Sequence, residues 1–202
     1  MFRLYALLCA GCWLLLQTRG NAQSRLFSQA IGGGLFAGSN YLGGGLVYSP
    51  RLNFFCFSDH SALSIGANIG LGTTINDNYN SNTGGNSTSI FMTNVPFLLT
   101  WNFGNAATNK ACTKWGCFAG AGYGFQNASR GVEYIDDEET TTNQVHVSGL
   151  VLSAGFRLPV ENHSLGIRVT YLFNNNRYNP DITGITGIGI DYNIGVKIHC
   201  AR

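Results

Sequence analysis

Charge is what this chain most lacks. Lys, Arg, Asp and Glu make up 11% of its 202 residues, against about 25% in an ordinary soluble domain. A solvated exterior needs many more. The charges present are nearly balanced, 12 basic against 10 acidic, which excludes the basic footprint of a nucleic-acid binder. Beyond residue 16 no apolar run approaches the length of a membrane helix, so a helical membrane protein is excluded. Metal and nucleotide signatures are missing too. No second close cysteine pair and no His spacing support a zinc site. Gly32–Gly34 and Gly43–Gly45 lack the strand-to-helix setting of a phosphate loop.

What the chain has in quantity is alternation. From Leu63 to Leu71 every odd position is apolar and every even one is Ser, Gly or Asn. Ile188 to Ile198 repeats the pattern on even positions, with Gly, Asp, Asn and Lys between. Successive strand side chains point to opposite faces, so each stretch predicts a strand with one apolar side. Eight such segments are predicted, at about 27–38, 44–57, 62–76, 89–103, 116–126, 144–158, 164–174 and 185–199. Their connections alternate in length. Ser58–His60 and Pro159–Asn162 are tight turns, whereas Asp77–Asn86, Asn127–Asn143 and Asn175–Gly184 are long and polar. Ser39–Leu42 is brief for its end, and Gly104–Trp115 is long for the opposite one.

The front end reads as an export signal. Met1-Phe-Arg3 is cationic, residues 4–16 are apolar, and Gly20-Asn-Ala22 offers a small-x-small site, predicting cleavage before Gln23. Cys12 stands in a lipoprotein-like box, but Trp13–Leu16 follows it where a polar tether belongs. The domains expected are therefore a signal peptide at 1–22 and one barrel at 23–202. Removing the signal takes Arg3 and Arg19 and leaves ten basic and ten acidic residues. Cys56, Cys112, Cys117 and Cys200 remain, and an oxidising compartment makes disulfides their expected state. Cys112 with Cys117 and Cys56 with Cys200 is one of three pairings that four cysteines allow. All four fall at the tight-turn end of the predicted strands.

Alternation alone does not say which face is buried. A soluble lipocalin-like barrel turns its apolar face inward and covers its outside with charge. Here the other face reads Ser64, Gly66, Asn68, Gly70 and Gly72 in one strand and Gly120, Gly122 and Gly124 in another. Small side chains suit a narrow lumen, and the apolar side then faces lipid. Trp101, Phe103, Trp115 and Phe118 at one end, with Tyr123, Phe125, Tyr171 and Phe173 at the other, fit two interfacial aromatic belts. The predicted fold is all-β: an eight-stranded, antiparallel, up-and-down transmembrane β-barrel.

Tyr48–Asn53, Asn94–Gly104, Gly116–Gly124 and the closing strand Gly187–Ile198 resemble the bacterial outer-membrane β-barrel domain family, the small porin-like barrels of Gram-negative cells. The likeness covers the whole mature chain. It implies location and architecture, and it carries no catalytic residues. The chain departs from many members in ending Lys-Ile-His-Cys-Ala-Arg202 instead of in an aromatic residue. Partners implied are outer-membrane lipid, lipopolysaccharide and the barrel-assembly machinery. A monomer without cofactor, metal or nucleic acid is expected, and the partner of the external loops is left unnamed.

Candidate sites follow from the faces. With apolar residues outward, Arg51, Arg157, Arg168, Asp191 and Lys197 point into the lumen, where charges must be paired. Hairpin geometry about Asn179–Pro180 brings Arg168 opposite Asp191 and predicts an ion pair. The network reads as a lumen plug, or alternatively as an anion-preferring path. Glu133, Asp136, Asp137, Glu138 and Glu139 gather five of the ten acids in one external loop, without the spacing of a calcium loop. His146 and Ser148 share one strand face, as in the outer-membrane lipid A deacylases, but no carboxylate is placed to orient the His. The sequence therefore predicts a non-enzymatic envelope protein, with a narrow channel as the alternative and a deacylase third.

Overall fold

A computed structural model of the chain describes residues 27–39, 41–74, 79–80, 85–86, 91–108, 110–111, 113–129, 133–135, 138–140, 144–161 and 163–194. The signal segment 1–22 lies outside the described residues. The strands are β1 Phe27–Gly38, β2 Tyr41–Ser58, β3 Ser61–Ala67 continued by Ile69–Thr74, β4 Met92–Gly104, β5 Gly116–Ser129, β6 Gln144–Val160, β7 His163–Phe173 and β8 Gly184–Asn193. Both runs of β3 pair with β2 and with β4, so the break at Asn68 interrupts one strand. Every strand is antiparallel to its sequence neighbours, and β1 pairs with β8 from Ala30↔Asn193 to Ala37↔Thr186. That pairing closes an eight-stranded up-and-down barrel. Closure leaves no sheet edge, the condition for crossing lipid with strands.

The alternation sorts as expected. Leu46, Ile65, Phe97, Leu150, Phe156 and Ile188 lie on the outside, with Leu46 69% and Phe156 65% exposed. An apolar surface of this extent is covered by lipid in a stable protein. Trp101, Phe103 and Trp115 are exposed at the tight-turn end. At the other end Tyr123 meets Phe125, and Tyr171 meets Phe173, edge to face. Phe118 is the exception to the expected belt. It shares the inward parity of Gly120, Gly122 and Gln126 and is 9% exposed.

The lumen is not uniformly small and polar. At the long-loop end its inward positions form an apolar cluster of Phe36, Val47, Met92, Leu98, Val145, Val147, Val151, Leu172 and Ile185. Ile182 joins them from the connection before β8, so part of a long connection expected to be polar and external folds inward. At Gly122 the neighbouring strand β4 comes close, and an added Cβ would lie 1.8 Å from the Phe97 carbonyl oxygen. Dispersion contacts and exclusion of water hold this half together.

Candidate functional site

At the tight-turn end the lumen is polar. Arg51, inward on β2, donates from Nε to Ser28 Oγ at 2.9 Å, from Nη1 to Asn102 Oδ1 at 2.7 Å and from Nη2 to the Ala106 carbonyl at 2.7 Å. Asn53, one inward step further, donates to the Ala107 carbonyl at 3.0 Å. These bonds draw the connection between β4 and β5 into the mouth of the barrel, where Asn105, Ala106, Ala107 and Ala111 are buried. The turn starts at Gly104, whose φ of +73° favours glycine, and Ala106 adopts φ +56° to aim its carbonyl at Arg51. The long tight-end connection noted in the sequence is thus an inward stopper. Asn102 donates in turn to Ser64 Oγ, tying the ring of β2, β3 and β4 side chains together.

Arg168 on β7 places Nη1 2.7 Å from Asp191 Oδ2 on β8, with Arg168 5% exposed. The pair is diagonal. Arg168 stands opposite Gly189, and Asp191 stands opposite Gly166, so each glycine leaves room for the other strand's charged side chain. Arg168 Nη1 also lies 3.2 Å from Ser49 Oγ. Arg157 on β6 stacks its guanidinium carbon 4.4 Å above the ring of Phe118. Phe118 is inward by its even position on β5, and there its ring meets the guanidinium. Arg51, Arg157, Arg168 and Asp191 all line one internal cavity of 70 Å³. Lys197, the fifth expected member, lies outside the described residues.

The long-loop end answers a different need. β6 runs seventeen residues and β7 eleven, and their pairing begins at Val151↔Leu172, so residues 144–150 of β6 have no β7 strand partner. The 174–183 connection supplies one with asparagines. Asn179 accepts from the His146 amide at 2.7 Å and donates to the Gln144 carbonyl at 3.0 Å. Asn176 donates to the His146 carbonyl at 3.0 Å, and the Asn175 amide donates to the Ser148 carbonyl at 2.9 Å. The His146 ring meets Asn127 Oδ1 at 2.8 Å and Gln144 Oε1 at 2.9 Å, and it lies edge-on to Tyr178. Its partners are amides, and an amide cannot stabilise an imidazolium as a triad carboxylate does.

The acidic segment forms a small ribbon, Glu133–Ile135 paired with Glu138–Thr140, with Glu139 opposite Tyr134. Asp136 and Asp137 lie outside the described residues. Cys56 and Cys117 are free thiols, and no disulfide is formed among the described residues. Cys117 follows the outward parity of β5, whereas the described part of the preceding connection folds toward the lumen. Cys112 and Cys200 lie outside the described residues.

No family model matches the chain, and no curated protein matches it. Solved structures do. Ail, the attachment invasion locus protein of Yersinia pestis, aligns over 85% of this chain and 99% of its own, with TM-score 0.51 and 13% identity. The same protein in complex with the heparin analogue sucrose octasulfate aligns over the same shares, with TM-score 0.50 and 12% identity. The chain has the fold of the small eight-stranded outer-membrane barrels. Weaker likenesses reach the N-terminal β-barrel domain of Pseudomonas aeruginosa OprF, over 83% of this chain and 97% of that one, at TM-score 0.43 and 12% identity. The outer-membrane enzyme PagL aligns over 84% of this chain and 99% of its own, at 0.42 and 16%.

Proposed function

We propose that this protein is a non-enzymatic, non-conducting component of the bacterial outer membrane that presents its long connections to the outside. The observation that carries the reading is a lumen stopped at both ends. The Asn105–Ala111 stopper sits under Arg51 at one mouth, and the Ile182 cluster fills the other. Eight strands leave an interior that side chains can fill. The apolar outer belt supports placement in lipid, and the same belt makes lipid and lipopolysaccharide its first partners. The acidic ribbon near Glu133–Thr140 and the exposed Tyr178 of the 174–183 connection are then the parts offered to an external partner.

Planar-bilayer conductance of the refolded barrel tests the reading. The expected trace shows no unitary steps. Steps whose ion preference changes with Arg157→Gln would replace this reading with the channel. The deacylase reading makes a separate demand: Ser148→Ala would have to change the acylation of lipid A in expressing cells, measured by mass spectrometry. Here the acyl pattern is expected to stay the same.

A further inference from the structure

The apolar outer belt is not filled evenly. Where β1 meets β8 it carries a groove of about 560 Å³. The side chains that line it all lie on the outward face: Ile31 and Leu35 of β1, Leu165 of β7, and Ile188, Ile190 and Tyr192 of β8. Gly33 forms its floor, between Leu46 of β2 and Ile190 of β8 in the register. A Cβ built on Gly33 would meet only the Gly45 carbonyl oxygen, at 3.7 Å, and the residue has no positive φ. Neither space nor backbone conformation calls for glycine here. Gly44, outward on β2 and opposite Leu35, is different: its Cβ would lie 2.8 Å from Leu35 Cδ2. Leu35 therefore leans over Gly44 and leaves Gly33 bare.

A notch in a lipid-facing wall has to be filled by something apolar, because the atoms around a void forfeit dispersion contacts. Lipid tails are as apolar as leucine, so packing decides what binds. A chain lying in the notch touches walls on two sides, whereas a chain on the smooth belt touches one. The groove also has a polar foot toward the tight-turn end. Tyr192 lies beside His163, with ring centroids 5.4 Å apart, and His163 Nδ1 donates to the Asn193 carbonyl at 3.1 Å. His163 opens β7, and Glu161 is exposed in the turn before it. Tyrosine at a strand end suits the headgroup level. A carboxylate and an imidazole two residues apart complement a headgroup that carries both an ammonium and a phosphate.

We propose that the Gly33 groove is a binding site for one glycerophospholipid with a phosphoethanolamine headgroup, its acyl chain over Gly33 and its headgroup at the His163–Tyr192 foot. The groove volume falls among small-ligand sites, which run about 300–1,000 Å³. Ile31 to Leu35 spans roughly 13 Å of strand, a length for part of one chain and not for a whole lipid. The choice of a phospholipid of the inner leaflet rests on the proposed placement of the long connections outside the cell, which sets His163 on the inner side. What separates this lipid from the rest of the coat is retention: one molecule stays while its neighbours exchange.

The test titrates the full mature chain, folded without lipid in detergent micelles, with dipalmitoyl phosphatidylethanolamine, and counts adducts by native mass spectrometry. One adduct should fill before any further ones. In Gly33→Leu the half-saturating lipid concentration should rise at least about tenfold, since a chain lifted from the notch loses contact with both walls. The compact unheated gel band verifies that this variant is folded. Ala154→Leu adds similar bulk to the outward face of β6, two strands from β8, and should change nothing. Dipalmitoylglycerol, which has the chains without the phosphate, should bind more weakly, and His163→Ala should narrow that difference. Equal binding by parent and Gly33→Leu, a ladder of adducts without a tight first one, or a dimer in place of the adduct would each overturn the groove and leave the orientation standing. A first adduct that prefers lipid A, and loses it in Gly33→Leu, would instead overturn the phospholipid together with the orientation from which it was chosen.

Discussion

The two halves of the lumen are built on the same strands yet solve opposite problems. At the long-loop end Phe36, Val147, Leu172, Ile182 and Ile185 exclude water, and the packing needs no particular partner for any atom. At the tight-turn end Arg51, Arg168 and Asp191 are each tied to named donors or acceptors at 2.7 to 3.2 Å. Apolar filling tolerates exchange of one side chain for another of like volume. A buried charge network fails when one member leaves, because the others are stranded. A closed barrel therefore combines a forgiving seal with a demanding one.

The comparison breaks most visibly at Asp191. Asp191→Ala leaves Arg168 uncompensated beside Arg157, and a loss of about 3–5 kcal/mol is expected. It would be measured as the shift in urea concentration at which the compact gel band disappears. Arg168→Met/Asp191→Leu removes both charges together and should lie within about 1–2 kcal/mol of the parent. If the double variant is as damaged as the single one, the network does more than balance charge. In the apolar half, Ile182→Ala should cost about 2–5 kcal/mol by the same assay, and Ile182→Leu much less. Among the single truncations, Asn179→Ala is expected to cost least, about 1–3 kcal/mol, by removing two bonds to β6. Its signature is local: faster amide exchange at His146, with strands β2 to β4 unaffected.

The strands were legible because the barrel exposes one face to lipid and packs the other, so nearly every segment obeys a two-residue period. β1 was predicted at its observed bounds, and the starts of β5 and β6 agree as well. Phe118 was readable in principle, since Tyr123 and Phe125 fix odd positions of β5 as outward. Height along the strand groups it with Trp101 and Trp115, but its even position sets it inward. The Arg168–Asp191 contact follows from counting along one hairpin, which needs only local register, although the observed register makes the pair diagonal and not directly opposed. The stopper at Asn105–Ala111 was not legible, because nothing in Asn-Ala-Ala-Thr separates an inward turn from a solvated one. Its one signal was Arg51, an inward cation with no acid on either neighbouring strand. The asparagines at 174, 176 and 179 read as a solvated loop, although they pair with the part of β6 that outruns β7. Seeing that requires the strand lengths first.

The pairing of β1 with β8 governs when this molecule can come into being. Ala30 meets Asn193, so the first strand made waits for the last before its own backbone is satisfied. Contacts that distant in sequence form slowly. Until that moment two raw edges and the outward apolar face coexist in one chain. The same surface that settles the finished barrel in lipid makes its journey through water a hazard. Closure is therefore all or nothing: a chain stopped before residue 184 lacks the strand that β1 pairs with and has no partial barrel to fall back on.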